Sequence, residues 1–342
     1  MSKKLINTLS YIFFLGLGAY LLFYTFRNLE LPKVLEAFSH ANFWWFLPII
    51  GATISCHLLR AFRWQLLLKS VDQPISLGRA FQTMMAGYFV SYGVPRLGEV
   101  TRCMALQKDE NIPFTVSFGT VVVERLADLI FIVLITATTF YIEYDLISTF
   151  FSENIFKPLI TLVFPPKGQS SDRKYYILGG LAILYAIYYF LKPKLEKSGY
   201  VEKADQFSND FLSGLQSVSK MKQKGLFAIL SIAIWILYFL MTFFWFFALE
   251  ATSELGIKAG LAMLVIGTVG RSVPIQGGGM GAYHYLITKG LLLFGVAELY
   301  GSTLAIIIHG TQTLFTIGVG GASFLLILLA RKNRDKEEIQ KM

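Results

Sequence analysis

Residues 113–142 read PFTVSFGTVVVERLADLIFIVLITATTFYI, and Glu124, Arg125 and Asp128 are the only charged side chains in that run. A helix rises 1.5 Å per residue, so about 20 mostly apolar residues cross a hydrocarbon core of about 30 Å. The stretch therefore predicts a membrane span. The same reading applies to residues 5–26, 43–68, 175–191, 225–249 and 299–330, giving six full spans. Composition agrees, since the 342 residues are 54% hydrophobic and 15% charged, with 30 Phe. A soluble domain runs nearer a quarter charged and shows alternating or amphipathic patterns around one core. The expected fold is an all-α polytopic membrane protein.

Two further segments, 78–111 and 256–296, are apolar but interrupted by Pro, Gly and charge. The positive-inside rule gives a way to place them. Lys3 and Lys4 put the N-terminus inside, and the basic connection with Lys69 and Arg79 lies inside after the second span. A re-entrant hairpin over 78–111 leaves Lys108 inside as well. The loop 143–174 is then outside, and the connection holding Lys192, Lys194, Lys197, Lys203, Lys220, Lys222 and Lys224 is inside. If 256–296 re-enters from outside, the chain ends inside at Arg331, Lys332, Arg334 and Lys336. Every strongly basic connection then shares one face. The expected layout is one transmembrane domain over 1–330 and a basic tail over 331–342, with both termini cytoplasmic. Paired broken segments of opposite orientation point to inverted repeats with a site where they meet.

The net charge of +9 is carried by short loops and the C-terminus, which fits lipid head groups and orientation rather than nucleic acid. Leu5 to Phe26 is longer than a signal-peptide core and lacks a small-residue cleavage site, so it reads as a retained span. Within 193–222, Val201, Ala204, Phe207, Phe211, Leu215 and Val218 recur at helical spacing, predicting an amphipathic helix on the inner surface. Cys56 and Cys103 have no metal-type spacing, and neither a disulfide framework nor a zinc site is expected.

Three groups of residues carry candidate chemistry. Around Pro95 and Gly98, which break a helix, Arg96, Glu99 and Arg102 fall on one stripe at i, i+3 and i+6. Two guanidiniums against one carboxylate make a net positive site suited to bidentate contact with a phosphate. In the second broken segment, Arg271 precedes a glycine-rich run with Gly277, Gly278, Gly279 and Gly281, then His284. No strand precedes this run and no Lys-Ser/Thr follows, so a nucleotide loop is not the reading. The glycines let the backbone turn and approach a ligand, and a helix starting near Gly281 would aim its positive end at an anion. The third group is Glu124, Arg125 and Asp128, with Glu124 about 17 Å into its span by helical rise. Ionisable groups at such depth are costly unless paired. Arg125 and Asp128, three apart, can pair, leaving Glu124 for Arg96, Arg102 or Arg271.

His57, Arg60 and Arg63 share a stripe near the inner end of the second span, and snorkelling to the interface is their expected behaviour. His309 is a candidate for proton coupling. No His-Glu-x-x-His pattern, serine nucleophile elbow or cofactor motif is present, so no metal, cofactor or catalytic residue is expected.

The Arg60-to-Trp64 segment, the Pro-Arg-Leu-Gly-Glu stretch with Arg102, the Glu124-Arg125…Asp128 group and the Pro274–Gly281 loop, in this order, resemble the lysylphosphatidylglycerol synthase transmembrane, or flippase-like, family. The likeness runs over about 1–330. In bifunctional members, a membrane domain of this kind flips a charged lipid and a separate C-terminal domain makes it by aminoacyl transfer. The chain read here ends at Met342, so the resemblance implies the membrane activity without the aminoacylation. Tyr283 and His284 stand where the family often has an acidic residue, so the resemblance does not carry over a shared headgroup specificity.

The leading functional expectation is a lipid translocator of the cytoplasmic membrane, not an enzyme. Its partner would be a phospholipid or a polyprenyl-phosphate lipid, held by Arg96 and Arg102 with the Gly277–Gly281 backbone lining the opposite gate. A membrane scaffold for envelope assembly and an intramembrane transferase or hydrolase using Glu99 or Glu124 as base are the two alternatives.

Overall fold

The computed structural model describes residues 15–16, 18–25, 27, 31–157, 160–161 and 217–341. The expected spans 5–26, in large part, and 175–191, and most of the amphipathic connection 193–222, lie outside the described residues. The described residues are mainly helical, with no strand among them. In chain order the main helices are α1 (Leu31–Ser39), α2 (Phe46–Lys69), α3 (Leu77–Gly93), α4 (Leu97–Glu110), α5 (Phe114–Ile142) and α6 (Tyr144–Phe151). They continue as α7 (Lys224–Phe244), α8 (Ile257–Ser272), α9 (Ala282–Leu292), α10 (Glu298–Phe315) and α11 (Gly321–Lys341).

Three helical stretches among the described residues, Phe43–Lys69, Lys224–Ala248 and Glu298–Asn333, are long and apolar enough to cross a bilayer. The last runs through α10 and α11, joined by a π-helical stretch over Thr316–Gly320. Outer helix faces are apolar as well. On α5, Leu126, Ile130 and Val133 are 51%, 60% and 57% exposed and lie on one stripe. A soluble protein rarely leaves such a stripe to water, whereas lipid tails solvate it.

Each broken segment folds as a pair of antiparallel helices. In the first hairpin, α3 and α4 meet at the base, where Arg79 bonds both Asp109 (2.5 Å) and Glu110 (2.8 Å). Ser76 caps the N-terminus of α3 by accepting the Arg79 N–H, a usual stabilising start for a helix. The chain turns over Val94-Pro95-Arg96, with Arg96 in the left-handed region at φ 66°. The two helices approach so closely that a Cβ on Gly98 would lie 1.9 Å from the Gly87 carbonyl oxygen. The Gly98 N–H, freed by the break, donates to the Ser91 hydroxyl at 3.0 Å. Gly98→Ala is therefore expected to force the helices apart and lower stability by about 1–3 kcal/mol. Gly93, whose substituent would meet nothing within 4 Å, is the matched control, and unfolding midpoints of the two alanine variants make the comparison.

The second hairpin pairs α8 with α9. Gly290 packs on Met263 and Ile266, Gly267 on Ile287, and Gly270 on Tyr283, a register that only an antiparallel pair produces. Its turn needs glycine, since Gly277, Gly278, Gly279 and Gly281 all have φ between 67° and 88°.

The two hairpins come from opposite ends of the fold. Helix α5 starts just after the base of the first and, with 29 residues, extends about 43 Å. It ends at Glu143, whose carboxylate takes Lys258 from the base of the second at 2.6 Å. The tips meet between these ends, where Gly278 faces the Tyr92 ring so closely that a Cβ added there would lie 3.3 Å from it. Each hairpin has its own core. Trp64, Leu67, Met84, Cys103 and Leu106 surround the first, and Met263, Ile266, Ile287, Leu304 and Trp245 the second.

Candidate functional site

Below the meeting tips, helices α2, α4 and α5 bring seven charged groups into one cluster, buried at Arg60, Arg63, Arg102 and Glu124 and partly exposed at Glu99, Arg125 and Asp128. Glu124 is fully buried and accepts from Arg60 (2.8 Å) and Arg102 (2.9 Å), with Arg63 at 3.6 Å. Asp128 accepts from Arg63 at 2.7 Å and lies 3.8 Å from Arg60 and 3.7 Å from Arg125. Arg125 turns its Nε onto Glu99 at 2.6 Å. Helical geometry explains the match: Arg60 and Arg63 on α2, three apart, face Glu124 and Asp128 on α5, four apart. Four guanidiniums meet three carboxylates, so the cluster keeps a net positive charge. Trp64 completes it, its ring under Arg102 at 4.5 Å and its N–H donating to Thr120 at 3.0 Å.

This arrangement corrects two expectations from sequence. Arg60 and Arg63 do not snorkel outward; they are 7% and 0% exposed and turn inward. A carboxylate across the bundle stabilises a guanidinium more directly than a long reach to the interface, because both buried charges are compensated at once. The stripe of Arg96, Glu99 and Arg102 is also divided. Arg96, in the left-handed turn of the first hairpin, is exposed. Arg102 is 2% exposed and bound to Glu124, and Glu99 belongs to Arg125. The anticipated Arg125–Asp128 pair is present, and of the three arginines weighed for Glu124 it is Arg102 that reaches it.

Beside this cluster lies a cavity of about 580 Å³. Arg60, Arg125 and Asp128 line it from the cluster, Arg271, Gly278 and His309 from the second hairpin and α10, and Trp235, Tyr238 and Phe315 form part of the remaining lining. Arg271 lies over the Tyr283 ring at 4.5 Å, and no carboxylate pairs with it among the described residues. His309 is 6% exposed and meets His284 edge to face, ring centres 4.8 Å apart. His284 does not line the cavity; its Nδ1 accepts the Gly281 N–H at 3.3 Å. Of the glycine run only Gly278 lines it. Gly281, where α9 begins, instead abuts Gly18 and Leu21, so the helix start faces chain and not the cavity.

Sequence reasoning passed over one further ionic clasp. Asp109, at the base of the first hairpin, accepts two bonds from Arg331 (2.8 and 3.0 Å) besides that from Arg79. Residue 109 sits in a polar run beside Lys108 and Glu110, where nothing in the pattern marks one carboxylate as buried. Among the described residues no group of three or more His, Cys, Asp or Glu is arranged to hold a metal ion.

The family described as Lysylphosphatidylglycerol synthase TM region matches residues 10–320. The chain is similar to the UPF0104 membrane protein MJ1595 of Methanocaldococcus jannaschii, 26% identical over 145 residues. That alignment covers 42% of this chain and 40% of the archaeal protein. No solved structure matches the chain.

Proposed function

We propose, from the premise that this chain belongs to the lysylphosphatidylglycerol synthase transmembrane-region family, that it translocates a phosphate-bearing lipid across the cytoplasmic membrane. The observation that carries this reading is the cavity where the hairpin tips meet, lined by three guanidiniums, Arg60, Arg125 and Arg271, against one carboxylate, Asp128. Its volume lies within the range of small-molecule sites, about 300–1,000 Å³, which suits a headgroup while the acyl or prenyl tails stay in the bilayer. Hairpins entering from opposite faces would let one tip and then the other part from the headgroup, the logic of alternating access around a fixed site. In this reading the phosphate contact passes from Arg96 and Arg102 to two other arginines that the sequence also marked. Arg271 and Arg125 meet the phosphate, while Arg102 holds Glu124 and through it Arg60.

The test is reconstitution into vesicles carrying a fluorescent phospholipid, with a membrane-impermeant reductant bleaching the outer leaflet. Protein-dependent loss of signal beyond the outer-leaflet half, with the lipid chemically unchanged, is the expected result. Loss of signal with a modified lipid would support the transferase or hydrolase reading, and no protein-dependent loss the scaffold reading.

The orientation is testable separately. Single cysteines replacing Gly78 and Asn111 should label from the same, cytoplasmic side of intact cells, as the bonded Arg79–Asp109 base requires. A cysteine at Gln169 should label from outside. Labelling of positions 78 and 111 from opposite sides would remove the re-entrant reading and the inverted repeat with it.

A further inference from the structure

The cavity lining has three properties that together narrow what it binds. The first is that, among the described residues, its one lining carboxylate, Asp128, is already engaged by arginines. Asp128 is already bonded to Arg63 at 2.7 Å and flanked by Arg60 and Arg125, and Glu124 is held by Arg60 and Arg102. An ammonium group brought into the cavity would meet the Arg271 guanidinium with no anion to offset it, a like-charge contact in a poorly solvated space.

The second property is a set of buried polar atoms without partners among the described residues. They include Nε1 of Trp235 and Trp245 and Nε2 of His309, on residues 7%, 1% and 6% exposed. The Tyr88 hydroxyl and Nδ1 of His57 join them, and all five residues line this cavity. Each of these atoms has under 1 Å² of accessible surface, and buried polar atoms in native proteins are nearly always hydrogen-bonded, so a polar ligand that turns these side chains toward it would supply the missing bonds. An indole N–H only donates, whereas a neutral histidine nitrogen or a phenol can also accept. Hydroxyl groups, which do both, satisfy the whole set, while a phosphodiester, which only accepts, cannot satisfy an accepting histidine nitrogen.

The third property is aromatic walling. Tyr92, Trp235, Tyr238, Tyr283 and Phe315 present ring surface around the same space. Flat aromatic faces pack against the C–H faces of a saturated six-membered ring while its hydroxyls point sideways to hydrogen-bonding groups.

We propose that the headgroup is a cyclic polyol, a sugar or inositol ring, joined to the lipid through phosphate. The phosphate meets Arg271 and Arg125, and the ring lies among Trp235, Tyr238 and Phe315. This deepens the translocator reading and rests on it.

The experiment is displacement of fluorescent phosphatidylinositol from the purified full chain in nanodiscs. The competitors are unlabelled phosphatidylinositol, phosphatidic acid, phosphatidylglycerol, lysylphosphatidylglycerol, a neutral galactosyl diacylglycerol and soluble inositol phosphate. Phosphatidylinositol should compete about tenfold better than phosphatidic acid or phosphatidylglycerol, the margin that one or two hydrogen bonds confer. The lysyl and galactosyl lipids should be weaker still. Trp235→Phe, which keeps the ring and removes the N–H, should cost phosphatidylinositol several-fold and leave phosphatidic acid unchanged, with an unaltered melting temperature as control. Equal competition by phosphatidic acid or phosphatidylglycerol overturns ring recognition while leaving the lipid reading intact. Equal competition by the galactosyl lipid overturns the phosphate requirement, and by the lysyl lipid the charge argument. Equal competition by soluble inositol phosphate makes the occupant a water-soluble solute. If no lipid binds and none is exchanged, the translocator reading itself falls.

Discussion

Replacing Glu124 with alanine should lower the stability of the protein by about 3–5 kcal/mol, the cost of leaving a buried ionic partner uncompensated. The carboxylate is fully buried and has Arg60, Arg63 and Arg102 within 3.6 Å, so its loss leaves guanidinium charge without an anion in a low-dielectric interior. A fall in the detergent unfolding midpoint, with reduced accumulation in the membrane, is the measurement. Glu124→Gln keeps the shape and one acceptor oxygen but not the charge, and should be intermediate. Arg102→Ala should be milder than Glu124→Ala, because Arg60 and Arg63 still neutralise the carboxylate. The paired change of Arg102 and Glu124 to leucine should recover part of the loss. If Glu124→Ala folds with an unchanged midpoint, the cluster is open to water and the electrostatic account of the bundle is wrong.

Arg271→Gln should do the opposite, leaving the fold intact and lowering lipid exchange by about 10–100-fold, the value of one charge-assisted contact. Arg271 is exposed to the cavity, and its ring contact with Tyr283 contributes about 0.5–1 kcal/mol, so stability should change by no more than that. Arg271→Lys keeps the charge but loses the planar fork and should restore exchange only in part. Initial rates in the vesicle assay, read beside the unfolding midpoint, separate the two effects. Unchanged exchange in Arg271→Gln would move phosphate binding away from the second hairpin tip.

The contrast between these two arginine environments marks how far sequence reading reaches. The helices over 113–142, 43–68, 225–249 and 299–330 were legible because a run of apolar residues long enough to cross hydrocarbon is a one-dimensional signal. The breaks at Pro95–Gly98 and Gly277–Gly281 were legible because proline and glycine act on the local backbone. Arg125 with Asp128 was legible from their spacing of three. What the sequence could not rank was the partners offered to Glu124. Arg60, Arg63 and Arg102 stand 64, 61 and 22 residues away in the chain, and their approach depends on how α2, α4 and α5 pack. Arg96 and Arg102 carry the same side chain six residues apart. One is exposed and the other is buried over the Trp64 ring, because the turn at φ 66° falls on the first.

Sequence by itself determined the membrane class, the helical fold, the positions of the two breaks and the charged residues available for a site. Only the tertiary structure decided which charges neutralise one another, which face a cavity, and that the two hairpin tips meet. The reason is physical. Burial in lipid and backbone breaking depend on a residue and its near neighbours, whereas compensation of a buried charge depends on groups brought within about 4 Å by the packing of distant helices.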